Sequence, residues 1–175
     1  MRCVLVWQTF FNWAIGQGLV DGNPVVGTNT AHDAVARDRV LTDGELRQIW
    51  LACEDDHYGA IVKLLMLTGQ RREEIGGLCR SEIDERGFLL SPARTKTQRP
   101  HFVPLSDTAR AIIEEQPSRS RDLLFGFGES SFSGWSAAKK KLDARIEYLD
   151  GKAPAEWRLH DLRRTAATGM ADYTS

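Results

Sequence analysis

The apolar residues of this 175-residue chain switch from helical to strand spacing near residue 88, and that switch sets the fold class. Up to Leu78 they recur at helical intervals. Phe88-Leu89-Leu90 and His101-Phe102-Val103-Pro104-Leu105 then form two short strand-like runs on either side of a basic turn. Helical spacing returns after Ser106. The chain reads as mainly α with a small antiparallel β-sheet, an α+β fold.

The helices have readable limits. Residues 3–17 carry Val6, Phe10, Trp13 and Ala14 on one stripe, widened by Val4, Trp7 and Phe11. Gly16 and Gly18 fray its end, and Asp21-Gly22-Asn23-Pro24 stops it. A helix this apolar needs a partner, in this chain or outside it. Residues 25–41 lack periodicity and read as a linker. Thr42 and Glu45 form a capping box that starts a helix through Leu46, Ile49, Trp50 and Ala52. A second helix is expected over 58–67, interrupted by Thr68-Gly69, and a short one from Arg71 to about Leu78. Ser106 caps a helix that Pro117 ends. Leu123-Leu124-Phe125 is a strand or extended run. Residues 132–148 form a helix with Trp135, Leu142 and Ile146 inward, 150–156 a loop, and 159–173 a last helix.

Composition narrows the function classes. The chain is 42% hydrophobic and 27% charged, as expected of a globular domain. No apolar run approaches the roughly 20 residues that span a bilayer, and no signal peptide is visible. Cys3, Cys53 and Cys79 have no metal-ligand spacing and read as reduced thiols of a cytoplasmic protein. The net charge of −1 is unevenly spread: residues 1–90 carry a balance of −4 and residues 91–175 a balance of +3. The basic excess begins at Arg94-Thr95-Lys96-Thr97-Gln98-Arg99. A local cationic face binds phosphate even when the whole chain is near neutral.

Four residues stand out for chemistry. Arg71 sits at a helix start, where a cation is disfavoured by the helix dipole and an anionic ligand would offset the cost. The plain alternative is a surface ion pair with Glu74, three residues on. Lys96 lies in the strand-connecting turn, which is either a solvated loop or a finger that enters a DNA groove. His160 and Arg163 share a helix face. The plain alternative there is a helix cap, with Asp161 in the first turn. Two arginines, a lysine and a histidine, without clustered carboxylates or zinc spacing, describe metal-free phosphoryl transfer. The arginines would neutralise non-bridging oxygens, and Lys or His would protonate the leaving alkoxide.

These segments resemble a known family. Thr68-Gly69-Gln70-Arg71-Arg72-Glu73-Glu74-Ile75 with Leu78 is similar to the first arginine box of tyrosine recombinases, the integrases of phages, prophages and genomic islands. Thr95-Lys96, ahead of a strand ending Val103-Pro104-Leu105, resembles their β-hairpin lysine. His160-Asp161-Leu162-Arg163-Arg164-Thr165-Ala166 resembles their second box. The resemblance covers about residues 42–172.

The resemblance implies a tyrosine-recombinase catalytic-domain fold, incomplete at the C-terminus. It divides the chain into residues 1–24, the last helix of a core-binding domain; 25–41, a linker; and 42–175, a catalytic domain truncated before the nucleophile box. Arg71 and Arg163 would clamp the scissile phosphate, His160 would hydrogen-bond it or assist proton transfer, and Lys96 would be the general acid toward the 5′ oxygen. Glu74 would orient the first helix turn. Arg94, Thr95, Thr97, Arg99 and Arg164 would contact DNA. In the family a tyrosine forms a 3′-phosphotyrosyl link. Tyr173 is ten residues beyond Arg163, about 15 Å along a continuous helix and off its face, which argues against it as that nucleophile.

The implied function is site-specific DNA recombination and integration, with this chain an expressed fragment or truncated gene product that binds DNA without cleaving it. The implied partner is a double-stranded attachment site, with no cofactor, metal, membrane or small-molecule substrate. The alternative is a catalytically inert DNA-binding regulator or prophage remnant. A metal-dependent nuclease is disfavoured because His32, His57, His101 and His160 are scattered. The four chemical residues are expected to converge on one concave basic surface. Self-association is expected through the apolar N-terminal helix and through an open surface at Leu159, Leu162, Ala166 and Met170.

Overall fold

The structure, a computed structural model, describes residues 2–27, 38–118 and 120–174. Most of the expected linker, 28–37, lies outside the described residues. The chain divides into two compact units, Met1–Asp38 and Arg39–Ser175.

The first unit is built on α1 (Arg2–Gly16). The segment after it is tied back to the helix: the Asn23 side-chain amide donates to Asn12 Oδ1 at 2.7 Å and to the Gln8 carbonyl. Trp7 and Phe10 meet edge to face at 5.9 Å. Val6, Phe10 and Trp13 are all exposed, so the apolar stripe is largely uncovered.

In the second unit the helices are α2 (Asp43–Ala52), α3 (His57–Thr68), α4 (Arg72–Gly76), α5 (Asp107–Glu114), α6 (Trp135–Asp150) and α7 (Leu159–Thr174). The strands are β1 (Gly87–Leu90) and β2 (His101–Pro104). The capping box of α2 is formed: Glu45 N–H donates to the Thr42 hydroxyl, and Thr42 N–H donates to Glu45 Oε2 at 2.9 Å. Helix α3 is central and packs against α2, α4, α5 and α7. Its Ile61, Val62, Leu64 and Leu65 have essentially no exposure. Asp56 caps its start through Gly59 N–H at 2.7 Å. A Cβ at Gly59 would sit 2.0 Å from the Glu54 carbonyl oxygen, so no other residue fits there.

The two strands form one antiparallel hairpin, with Phe88 opposite Val103 and Leu90 opposite His101. Phe88, Leu90 and Val103 face the core, whereas Leu89 and Phe102 are exposed, the alternation that period-two spacing dictates. Leu123 makes only an isolated bridge to Cys79.

Three details depart from the sequence reading. Helix α4 is five residues long, because Arg71 takes an extended conformation before it and Gly77 leaves the helical conformation after it at φ −108. Helix α6 starts at Trp135 rather than 132, after Gly134 at φ 81. Leu162, expected to lie on an open surface, is buried in the core, while Met170 is exposed.

Truncating α3 at its centre should be costly. Leu64→Ala is expected to lower unfolding stability by about 2–5 kcal/mol, read from urea titration. Leu89→Ala, on the exposed face of β1, should stay within about 0.5 kcal/mol of the parent chain.

Candidate functional site

Helix α3 ends at Gly69, which adopts the left-handed conformation at φ 62. Its ideal Cβ would lie 3.1 Å from the Ala166 Cβ, so α7 passes close by. One turn back on α7, Arg163 donates from Nη1 to the Gly69 carbonyl at 2.5 Å. The helix end thereby satisfies one of its open carbonyls and holds the second arginine in place.

Two residues beyond Gly69, Arg71 is held by Glu74. Its backbone N–H donates to Glu74 Oε2 at 2.9 Å and its Nη1 to Oε1 at 2.7 Å. The ion pair of the plain reading is thus formed, with its carboxylate buried at 4% exposure and the Arg71 side chain 37% exposed. Arg94 supports it from behind, donating from Nη2 to the Glu74 carbonyl at 2.9 Å while Nη1 pairs with Glu82.

Arg71 and Arg163 line one cleft of about 650 Å³ together with Gln70, Thr97, Arg99 and His101. Thr95, Thr97 and Arg99 of the hairpin turn reach it because Thr95 is buried and pins the turn. Its hydroxyl donates to the Arg99 carbonyl at 2.7 Å and accepts from Arg99 N–H at 3.1 Å. Gln98 takes φ 53 to close the loop. The cleft carries three guanidinium groups against one carboxylate, Glu74, which Arg71 already engages. Such a surface attracts anions.

A larger cavity of about 740 Å³ lies between α3, α5 and α6, lined by Tyr58 and Phe132 among others. It mixes Glu54, Asp55, Asp56 and Glu115 with Lys63, Lys141 and Arg145, so it has no comparable charge preference.

The four residues singled out by chemistry are distributed unevenly. Arg71 and Arg163 share the cleft; Lys96 and His160 are exposed and do not line it. Of the residues read as DNA contacts, Thr95, Thr97 and Arg99 line the cleft. Arg94 is committed to Glu74 and Glu82, and Arg164 is half-buried on α7 outside the lining. Gln70 and His101 were not singled out in the sequence. Their one sequence signal is position, Gln70 immediately before Arg71 and His101 two residues after Arg99.

Three nucleophilic groups outside the cleft are held in their protonated forms. Burial pushes the Cys53 thiol up to about 12 and also raises Cys79. Burial, reinforced by Asp143, raises the Tyr58 phenol. Among the described residues no group of three or more His, Cys, Asp or Glu is placed to hold a metal ion.

Removing the carboxylate beneath Arg71 should loosen the site. Glu74→Gln replaces one acceptor oxygen with an amide nitrogen and leaves an Arg71 donor unmatched. It is expected to cost about 1–3 kcal/mol of folding stability, read by denaturant unfolding.

Comparison with known proteins places this geometry in context. A shufflon-specific DNA recombinase of Escherichia coli is 29% identical over 163 aligned positions, spanning 91% of this chain and 40% of the relative. A tyrosine recombinase XerC of Corynebacterium efficiens is 25% identical, spanning 94% of this chain and 56% of its own length. The chain thus spans about half the length of these curated relatives. Among solved structures, a lambda integrase dimer bound to a core site superposes with a TM-score of 0.67 at 19% identity, covering 94% of this chain and 63% of that one. A transposon integrase in complex with circular intermediate DNA gives 0.59 at 16%, covering 95% and 64%. At these identities the superpositions establish the fold: mainly helical, with the two-stranded antiparallel sheet. The Phage integrase family profile matches residues 39–174, from just before α2 to the end of α7, and the chain belongs to that family.

Proposed function

We propose that this chain is the phosphate-activating part of a tyrosine recombinase that acts at a double-stranded DNA attachment site. The observation that carries the reading is the meeting of Arg71 and Arg163, far apart in sequence, in one cationic cleft. A scissile phosphodiester seated there would have its non-bridging oxygens between two guanidinium groups already aimed by Glu74 and the Gly69 carbonyl. Lys96, exposed on the turn whose neighbours Thr95 and Thr97 line the cleft, would protonate the leaving 5′ oxygen once DNA is bound. His160, exposed on the first turn of α7, would contact the phosphate from the solvent side.

Assayed by itself, the 175-residue chain binds DNA without forming a covalent link. Tyr58 belongs to the core, Tyr148 is exposed on α6, and neither lines the cleft. Tyr173 follows Arg163 on α7 by about 15 Å of helix.

The test is binding to a short duplex over a range of salt. Wild type should lose affinity steeply as salt rises, and Arg71→Ala and Arg163→Ala should each weaken binding and flatten the log–log salt slope by about 0.9. A nicked suicide duplex should yield no adduct. Variants that bind like wild type at every salt concentration would overturn the cleft assignment, and a phosphotyrosyl adduct at Tyr173 would overturn the inertness.

We also propose that the chain self-associates through α1. Val6, Phe10 and Trp13 expose an apolar stripe whose burial is worth roughly 25 cal/mol per Å². The lambda integrase that shares the fold is a dimer on DNA. Sedimentation at micromolar concentration should show a species heavier than 19.6 kDa, reverting to monomer in a Phe10→Ser, Trp13→Ser double variant.

A further inference from the structure

We propose that His101 is a phosphate-contacting residue of the cleft, with Gln70 selecting the ring nitrogen that faces the DNA. The inference rests on the reading of the cleft given above.

Gln70 is buried between Gly69, whose carbonyl receives Arg163, and Arg71 itself. Its Nε2 donates to the Thr68 carbonyl at 2.9 Å. A carbonyl oxygen only accepts, so the nitrogen of the Gln70 amide must point to Thr68 and its oxygen must point away. That oxygen lies 3.1 Å from His101 Nε2. Since it too can only accept, His101 Nε2 carries a proton. The tautomer is thus set by a chain of three groups: the Thr68 carbonyl orients Gln70, and Gln70 orients the imidazole. In the neutral ring, Nδ1 is then the nitrogen without a proton.

The strand register puts this ring at the cleft. His101 is the first residue of β2, opposite Leu90, directly after Arg99 and Pro100, and it lines the cavity with Arg71, Arg99 and Arg163. The charged groups around that cavity are those three arginines and Glu74, from the α3–α4 connection, α4, the hairpin turn and α7. A second proton on the ring would add a fourth cation beside the three arginines. A bound phosphodiester reverses that balance, because an anion among these groups favours the charged ring. On DNA binding, Nδ1 takes one proton from solvent, keeps it, and donates a hydrogen bond through that N–H to a non-bridging phosphate oxygen. Nε2 keeps its bond to Gln70 throughout. A purely structural His101, tying β2 to the α3–α4 connection, would take up no proton.

The experiment uses the full 175-residue chain, labelled with ¹⁵N, and a short DNA duplex as probe. Imidazole ¹⁵N spectra should show Nδ1 of His101 in the unprotonated range without DNA and in the protonated range at saturation. Calorimetric titration in buffers of different ionisation enthalpy should detect proton uptake that His101→Gln removes, with about ten-fold weaker binding. An Nδ1 signal unchanged at saturation, while Arg163→Ala weakens binding, would overturn the role of His101 and leave the cleft assignment standing. Arg163→Ala binding like wild type would overturn both.

Discussion

Helix α3 carries Ile61, Val62, Leu64 and Leu65 in the middle of the second unit, with four other helices against it. Each such side chain contributes about 1.5–3 kcal/mol through burial, so packing holds α3 firmly in place. Its C-terminus is therefore also well placed. Gly69 ends the helix in the left-handed region, and the three residues Gly69, Gln70 and Arg71 then each present a group to the cleft: a carbonyl for Arg163, an amide for His101 and a guanidinium. A candidate site for a phosphate is built around the end of a helix that the hydrophobic core holds still.

Electrostatics in the cleft follow from that placement. Like charges brought together repel, and the protein offsets the repulsion unequally. Arg71 receives a buried carboxylate, Arg163 only a carbonyl oxygen, and Arg99 is held through its backbone by Thr95 rather than through its side chain. The cleft keeps a surplus of positive charge. Arg94 shows the other use of a cation: it is paired with Glu82 and the Glu74 carbonyl, and serves to hold α4 rather than to face solvent.

The hairpin contributes in two ways. Its strands are anchored by Phe88, Leu90 and Val103 in the core, which fixes where β2 begins and hence where His101 stands. Its turn is closed by the Thr95 hydroxyl together with the Gln98 N–H bond to the Thr95 carbonyl. Lys96, between the pinned Thr95 and the rest of the turn, is left exposed. Exposed loop residues are the ones that move most readily on binding, and the role proposed for Lys96 uses that freedom.

Much of this was readable in the sequence because its causes are local. The Thr42–Glu45 capping box, the Ser106 cap, the hairpin and the Gly69 stop each depend on a few neighbouring residues, and all are present. The family boxes were readable for the same reason: each is a short run of side chains. What depends on distant partners was not. Gly76 has no room for a side chain because the Trp135 ring lies against it; Leu162 is buried because α7 packs on α3; Gln70 and His101 meet because the core sets both the end of α3 and the hairpin register. The sequence by itself determined which helices and strands form and which short runs mark the family. Only the tertiary structure decided which of those side chains share a cleft, because hydrogen bonds across tens of residues exist only once the core has brought their carriers together.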